Sequence, residues 1–406
     1  MKKTAVIILT LILLFTLSCS AFATAMSVQE EKNLRESIEP SVTVDASVTV
    51  DAELMTYAKA VVLMEKSTGK VLYAENENEQ LPPASVTKIM TILLVCEAID
   101  EGKISLSDSV TCSDNASSKG GSQIWLEPGE TMTVDELLKA ACVYSANDAC
   151  TLLGEYVAGG EEAFTKKMND RAAELGMKNT HFDNCTGLDD TTDTHLTTAY
   201  DIALMSRELL KHDFIKQYTT IWMDSLRDGK TQLVNTNKLV RFYDGITGLK
   251  TGTTSKAGCC ISATAERDGM ELIAVVLGSG NSNDRFNSAR NLLDWGFANY
   301  EIFTPSVDSD GIKPIAVLNG REDSVNLCVP NLSPVLINKG QGDKIKVTFT
   351  AEQQVTAPVE QGQILGKIQV FSDESLLGEY DLTAEKEVKK LNFFSAMLKL
   401  LTSFSK

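Results

Sequence analysis

A chain of 406 residues with 43% hydrophobic side chains is long enough to bury two cores, and a formal charge of -17 leaves no basic surface for nucleic acid. Nine cysteines, three histidines and no Cys-x-x-Cys pair exclude a disulfide scaffold and a zinc module, so no metal and no cofactor are expected. The cysteines read as small core residues, with one disulfide as the alternative.

The chain opens with MKKTAVIILTLILLFTLSCSAFATAMS. Two lysines, an apolar run short for a membrane span, and small residues in Ala-x-Ala spacing at Ala21/Ala23 and Ala23/Ala25 read as a cleaved export signal over 1–25. An uncleaved anchor competes with that reading, and Leu17-Ser18-Cys19 carries a trace of lipoprotein processing. Residues 26–54 read as a linker, in which SVTVDA over Ser41–Ala46 is repeated at once over Ser47–Ala52.

From Lys59, two apolar runs around Ser67-Thr68-Gly69-Lys70 predict a hairpin, and Pro82-Pro83 hands over to a helix from Ala84 to Ile99. Residues 105–130, rich in Ser, Asp, Asn and Gly, predict short strands and loops. Helical periodicity returns over Val134–Tyr144, Asp148–Val157, Glu161–Gly176 and Thr198–Lys211. Strand-like runs follow at KLVRFYDG, Gly258–Glu266 and Leu272–Ser279, before a closing helix around Ser288–Tyr300. Strands, then helices, then strands predict one α+β domain over 55–304 whose sheet unites both ends of the segment. Beyond Pro305, runs such as KIKVTFT and GKIQVFS predict a smaller all-β domain over 305–386.

The last segment, 387–406, places Asn392, Ser395, Lys399, Thr402, Ser403 and Lys406 within an arc of about 100°, with Leu, Phe, Met and Ala elsewhere. Lys389, Lys390, Lys399 and Lys406 are its charges after Glu387, which suits an amphipathic helix lying on an anionic membrane surface. A helix docked on the protein core is the competing reading.

Chemistry enters at PPASVTKIMT. A serine hydroxyl is a poor nucleophile until a base takes its proton, and positions i and i+3 share a helix face, so Lys88 can bring its amine onto Ser85 Oγ. The amine must be neutral to act, and burial with a second cation nearby would lower its pKa. Ser-x-x-Lys alone is weak: it occurs three times, at Ser67/Lys70, Ser85/Lys88 and Ser403/Lys406. Only Ser85 opens an interior-looking helix. Lys250-Thr251-Gly252 occurs once, and so does Ser113-Asp114-Asn115, the latter in a loop without a helical flank where turn chemistry explains it. Ser145-Ala146-Asn147 lies instead between two apolar helices, where a short connection can aim both side chains into a cleft.

Ser-x-x-Lys, Ser-x-Asn and Lys-Thr-Gly in this order, with YSANDA, the stretch Asn179-Thr180-His181-Phe182 leading to Thr186-Gly187-Leu188, His195 before TAYD, and GLKTGTT, resemble the serine D-Ala-D-Ala carboxypeptidases. These are the low-molecular-mass penicillin-binding proteins of peptidase family S11, and the likeness covers residues 55–390. The resemblance implies a β-lactamase/transpeptidase-like α+β domain, an antiparallel sheet with helices, followed by a small all-β domain. It implies an exported enzyme at the outer face of the cytoplasmic membrane that removes the terminal D-alanine from peptidoglycan stem peptides and is inhibited by β-lactams. Ser85 would be the nucleophile, Lys88 its base, and Ser145 a proton relay to the leaving amine. Asn147 would bind the substrate amide and orient Lys88, while Lys250, Thr251 and Thr253 would receive the terminal carboxylate. The N–H groups of Ser85 and Thr253 would form the oxyanion hole. His181 and His195 read as structural, and Arg285 either faces the carboxylate or lies on the surface.

Two other enzymes share this chemistry. A DD-endopeptidase has the same motifs. A class A β-lactamase needs a Glu-x-x-x-Asn for deacylation, which NTHFDNCTGLDD lacks, and carries no appended β-domain. A silent penicillin-binding sensor or cell-wall binding protein would be missing a catalytic group, whereas all are present.

Overall fold

A computed structural model describes residues 54–308 and 311–393. The expected export signal, the duplicated hexapeptides and the part of the expected amphipathic helix from residue 394 onward lie outside the described residues.

The expected hairpin is β1 (Ala60–Glu65) and β2 (Val71–Glu75), its turn gathered by the Glu65 carboxylate, which accepts from the amides of Ser67 at 2.8 Å and Thr68 at 2.7 Å. A 3₁₀ turn over Ala84–Thr87 leads into α1 (Lys88–Asp100). The Ser/Asp/Asn/Gly-rich segment holds β3 (Ser109–Thr111), α2 (Asp114–Ser117) and β4 (Thr131–Thr133). Ser113 therefore does have a helical flank: its Oγ accepts from the Ala116 amide and caps α2, so the literal Ser-Asp-Asn serves local capping.

A Thr133/Glu136 capping box starts α3 (Val134–Lys139), which ends in one π turn over Ala140–Tyr144. Next come α4 (Asn147–Ala158), α5 (Glu161–Glu174), α6 (Ala199–Leu209), α7 (Lys216–Thr219) and the hairpin β5 (Met223–Leu226) with β6 (Thr231–Val234). KLVRFYDG, expected as a strand, contains instead the short helix α8 (Leu239–Phe242). Asn237 Oδ1 accepts from the Leu239 amide at 3.1 Å, and that local acceptor turns the chain where β propensity alone predicts extension. Then follow β7 (Ile246–Thr254), β8 (Gly258–Arg267), β9 (Met270–Ser279) and α9 (Ser282–Asn299). The last begins earlier than expected, because Asn281 Oδ1 caps the Asp284 amide.

The antiparallel sheet runs β2-β1-β9-β8-β7, so the two ends of the segment do meet in one sheet. Alternation along β9 explains its unbroken apolar run. Ile273, Val275 and Leu277 face the core shared with α1, α4 and α6, whereas Leu272, Ala274 and Val276 face α9 through Phe286, Ala289, Leu292 and Leu293. Each such fully buried aliphatic side chain contributes about 1.5–3 kcal/mol by area. Helix α1 is buried nearly all round and forms the axis on which the site is built.

The second unit is all β, as the composition predicts. Its strands are β10 (Tyr300–Phe303), β11 (Ile315–Leu318), β12 (Ser324–Val325), β13 (Leu327–Cys328), β14 (Val335–Asn338), β15 (Ile345–Ala351), β16 (Gln354–Thr356), β17 (Ile364–Ser372) and β18 (Ser375–Ala384). They form sheets β10-β14, β12-β11-β16 and β13-β18-β17-β15 around Ile315, Val317, Val359, Leu365 and Val388. Val388 bridges to Val359 and Lys390 to Gly320, so residues 387–390 complete this unit rather than open a helix. Strand β10 follows α9 without a linker and pairs with β14, so the β unit starts at Tyr300. Lys339 clamps the joint, its Nζ donating to Phe297 O at 2.9 Å. Among the described residues no helix is long and apolar enough to cross a membrane.

Candidate active site

Ser85 is presented by a strained turn. Ala84, immediately before it, is fully buried at φ 49°, and such a left-handed non-glycine residue costs about 1–3 kcal/mol. The turn is held by Gly187, whose φ is +84° and whose missing Cβ would lie 1.9 Å from the Ala84 carbonyl oxygen. One helical step on, Lys88 Nζ lies 2.7 Å from Ser85 Oγ and 2.7 Å from the Thr186 carbonyl oxygen, with no side-chain exposure to water. A neutral amine satisfies both contacts by donating to Thr186 O while its lone pair faces the serine hydroxyl.

The loop supplying Thr186 O is itself organised by Asn184, whose Oδ1 accepts from the amides of Thr186 and Gly187 at 3.0 and 2.8 Å. It is tied again to α1 where Thr91 Oγ1 donates to Cys185 O at 2.6 Å. His195 Nδ1 accepts from the Asp183 amide, so Nε2 carries the hydrogen and donates to Thr87 Oγ1 at 2.8 Å. Burial lowers that imidazole to about 4, and it props the turn as a neutral group. His181 is exposed and pairs with Asp183.

Ser145 closes the π turn in a left-handed conformation, φ 66°, and Asn147 begins α4. Asn147 is fastened to the neighbouring loop twice: its amide donates to Ser122 O and its Nδ2 to Gly120 O, each at 2.6 Å. Ser145 Oγ and Asn147 Oδ1 are buried without a hydrogen-bond partner in the protein. A second polar residue left unsatisfied in one cleft fits a site shaped for a polar ligand. The second contact of Lys88 is thus Thr186 O, and Asn147 is engaged with the loop.

On the third side, β7 carries Lys250, Thr251, Gly252 and Thr253. Gly252 allows the closest approach: a Cβ there would stand 2.8 Å from the Ser85 amide nitrogen, so the strand backbone lies against the nucleophile's own N–H. Lys250 is 1% exposed, and its Nζ donates to Thr251 O at 3.0 Å. Thr251 Oγ1 donates to Thr236 at 2.7 Å, and Thr253 Oγ1 to Gly252 O at 2.8 Å. Arg285 is not on the surface. It is buried, and its Nη1 reaches Gly252 O, Thr253 Oγ1 and Cys260 O at 3.2, 3.1 and 3.3 Å.

The two buried amines share one low-dielectric pocket. Desolvation lowers Lys88 to about 8, opposed in part by Cys150, Cys185 and Asp148. Desolvation, with the neighbouring charge of Lys88, lowers Lys250 to about 7. A proton leaving either amine relieves the other. The eight described cysteines are free thiols, seven of them buried, and desolvation raises Cys150 to about 11, so it stays protonated beside the lysines.

Sequence reasoning identified the Ser-Lys pair and the strand. It missed the carbonyl of Thr186 as the second partner of Lys88, the Asn184 turn and the placement of Arg285. The Asn-x-Thr-Gly spelling, an Asx turn into a glycine, is the signal that could have found the first two.

A half-buried serine and a fully buried lysine one helical step apart, walled by a strand that runs against the serine amide, define a serine acyl-transfer enzyme of the penicillin-recognising fold. The comparisons are specific. Residues 46–281 match the D-alanyl-D-alanine carboxypeptidase family, peptidase S11, and residues 300–390 match the penicillin-binding protein 5 C-terminal domain. The chain is 41% identical over 371 residues to D-alanyl-D-alanine carboxypeptidase DacF of Bacillus subtilis, covering 90% of this chain and 95% of that one. It is similar to penicillin binding protein 5 from Haemophilus influenzae at TM-score 0.70 and 29% identity, over 86% of this chain and 100% of that one. It is also similar to penicillin-binding protein D2 from Listeria monocytogenes in its ampicillin-bound form, at TM-score 0.55 and 32% identity over 60% of this chain and 99% of that one. The chain belongs to the D-alanyl-D-alanine carboxypeptidase family, and its function is that of a carboxypeptidase of this kind.

Proposed function

We propose that Ser85 forms the acyl-enzyme, and that the chain removes the terminal D-alanine from peptidoglycan stem peptides by the following route. Neutral Lys88 takes the Ser85 hydroxyl proton as Oγ attacks the carbonyl between the two D-alanines. The oxyanion is held by the N–H groups of Ser85 and Thr253, each worth about 2.7–4 kcal/mol in the transition state. Ser145 relays that proton from Lys88 to the departing amine, which leaves Lys88 neutral again, and Asn147 holds the substrate amide. The terminal carboxylate is received by Lys250 with Thr251 and Thr253, whose hydroxyls turn from Thr236 and Gly252 O to meet it.

The carboxylate also sorts the protons. Arriving beside Lys250, it favours the ammonium there, and that charge in turn favours the neutral amine at Lys88. Water then repeats the attack on the ester, with Lys88 again as base. The observation that carries this reading is the 2.7 Å contact between Ser85 Oγ and the Nζ of a fully buried Lys88.

A β-lactam offers the same carboxylate and a reactive amide, so it should acylate Ser85, in keeping with the ampicillin-bound relative. Residues 1–25 as an export leader and the stretch after Lys390 as a surface-seeking helix would place the enzyme at the outer face of the cytoplasmic membrane.

The test is release of D-alanine from a peptide ending in D-Ala-D-Ala, with Ser85→Ala in parallel. Release by the wild type alone supports the assignment. Equal release from both removes Ser85 from the mechanism.

A further inference from the structure

We propose that Trp125 is a platform for a sugar ring of glycan-linked substrate, an inference that rests on the carboxypeptidase reading above. Trp125 is 74% exposed yet held rigidly, at φ 58°, a conformation that a bulky residue rarely adopts. Both neighbours are plugs: Ile124 and Leu126 are buried, and the fully buried Asp148 carboxylate accepts from both of their amides at 3.0 Å. From the other side Arg227, braced on Glu130, donates to the carbonyl oxygens of Ile124 at 2.9 Å and Trp125 at 3.4 Å. An indole exposed by accident would not need its backbone fastened on two sides.

The loop that carries it is a wall of the cleft. Asn147 bonds to Gly120 and Ser122 in this loop. A Cβ on Gly121 would sit 2.8 Å from Asn147 Nδ2 and 3.5 Å from Leu188 Cδ2, beside the Gly187 that packs on Ala84. Trp125 follows four residues along.

Substrate chemistry selects the ligand. The middle of a peptidoglycan stem carries carboxylates and amines, whereas a pyranose ring offers a broad C–H face that stacks on an aromatic ring. Four stem residues separate the scissile bond from the sugar and span up to about 13 Å when extended, the scale of a rim rather than of the catalytic pocket.

The experiment compares wild type, Trp125→Leu and Trp125→Phe on a disaccharide-pentapeptide and on the bare pentapeptide. The expected result for Trp125→Leu is a fall of about 3- to 10-fold in the preference for the sugar-bearing substrate, carried by KM, with Trp125→Phe restoring most of it. An unchanged preference, or an equal loss on both substrates, overturns the proposal. A binding measurement keeps it separate from the catalytic reading. In Ser85→Ala protein the disaccharide-pentapeptide should quench the Trp125 part of the fluorescence, defined by subtraction of a Ser85→Ala/Trp125→Phe sample, and the bare pentapeptide should not. Absence of that quench overturns the platform even where D-alanine release is normal; a quench without any release from wild type sinks the carboxypeptidase reading alone.

Discussion

Thr254 Oγ1 donates to Asp189 Oδ2 at 2.6 Å, and this bond joins the loop that holds Lys88 to the strand that carries Lys250. Asp189 is buried, and its other oxygen has no protein partner. Truncating a hydrogen-bonded buried carboxylate removes an interaction of about 1.5–3 kcal/mol. Asp189→Ala should therefore lower kcat by about 10-fold or more, while Asp189→Asn, which retains an acceptor, should recover part of it. Equal kcat values for wild type and Asp189→Ala would show that loop and strand keep their spacing without the bond.

Gly187→Ala is expected to be among the most damaging single-methyl changes in the chain. The added Cβ meets backbone at 1.9 Å, and backbone cannot swing aside as a side-chain end does. Either the Ser85 turn or the Thr186 contact must shift. Labelling by a fluorescent penicillin should drop by at least about 10-fold, well beyond the cost of an ordinary Gly→Ala change at positive φ. Full labelling would show that the turn tolerates the displacement.

The pH dependence follows from the two lysines. With Lys88 lowered to about 8 and Lys250 to about 7, kcat/KM should rise with pH through this interval as one amine becomes neutral. Folding stability moves in the same direction. A lysine whose pKa is depressed in the fold binds fewer protons than its unfolded counterpart, so stability is fully present above about pH 10.4 and is lost as pH falls toward the folded values. Lys88→Met should flatten part of that slope in urea titrations at pH 7 and 10. An unaltered slope would remove Lys88 as its source.

Arg285 Nη1 donates to Thr253 Oγ1, Gly252 O and Cys260 O, and its removal takes one charged donor from all three. Arg285→Ala should raise KM for a D-Ala-D-Ala peptide by about 10-fold, the cost of one misplaced charge-assisted contact, and lower the thermal midpoint. Arg285→Lys should rescue little, because one ammonium cannot reach both the Gly252, Thr253 and Cys260 oxygens met by Nη1 and the Ser282 Oγ met by Nη2 at 3.0 Å. A wild-type KM in Arg285→Ala would separate the arginine from carboxylate recognition.

Periodicity and motif order made most of the catalytic unit legible: the hairpin at Ser67–Lys70, helix α1 and the sheet that joins both ends of the segment all rest on local pattern plus strong apolar runs. What stayed hidden depended on side chains that act on distant or adjacent backbone. Asn237 turns a β-prone run into α8, Asn281 starts α9 early, and Ser113 makes a helix cap out of a motif that elsewhere is catalytic. At the site, Ser85 and Lys88 are bound by their spacing of three, which a sequence displays. The Thr186 carbonyl and the Arg285 fork reach their partners across 98 and 33 positions, and a carbonyl has no letter of its own.

The thiols have a consequence for how the protein matures. Its eight described cysteines are unpaired, and seven of them are buried, six within the main core, with no bridge between distant parts of the described chain. The native state then owes nothing to closing covalent loops in the unfolded ensemble, which is how a disulfide contributes. Packing and hydrogen bonding alone must select it. A chain of this kind folds to the same end point under reducing or oxidising conditions, with no need of a dithiol oxidase to finish it, and the hazard it faces is the reverse one: an oxidant meeting those thiols before the core has closed over them.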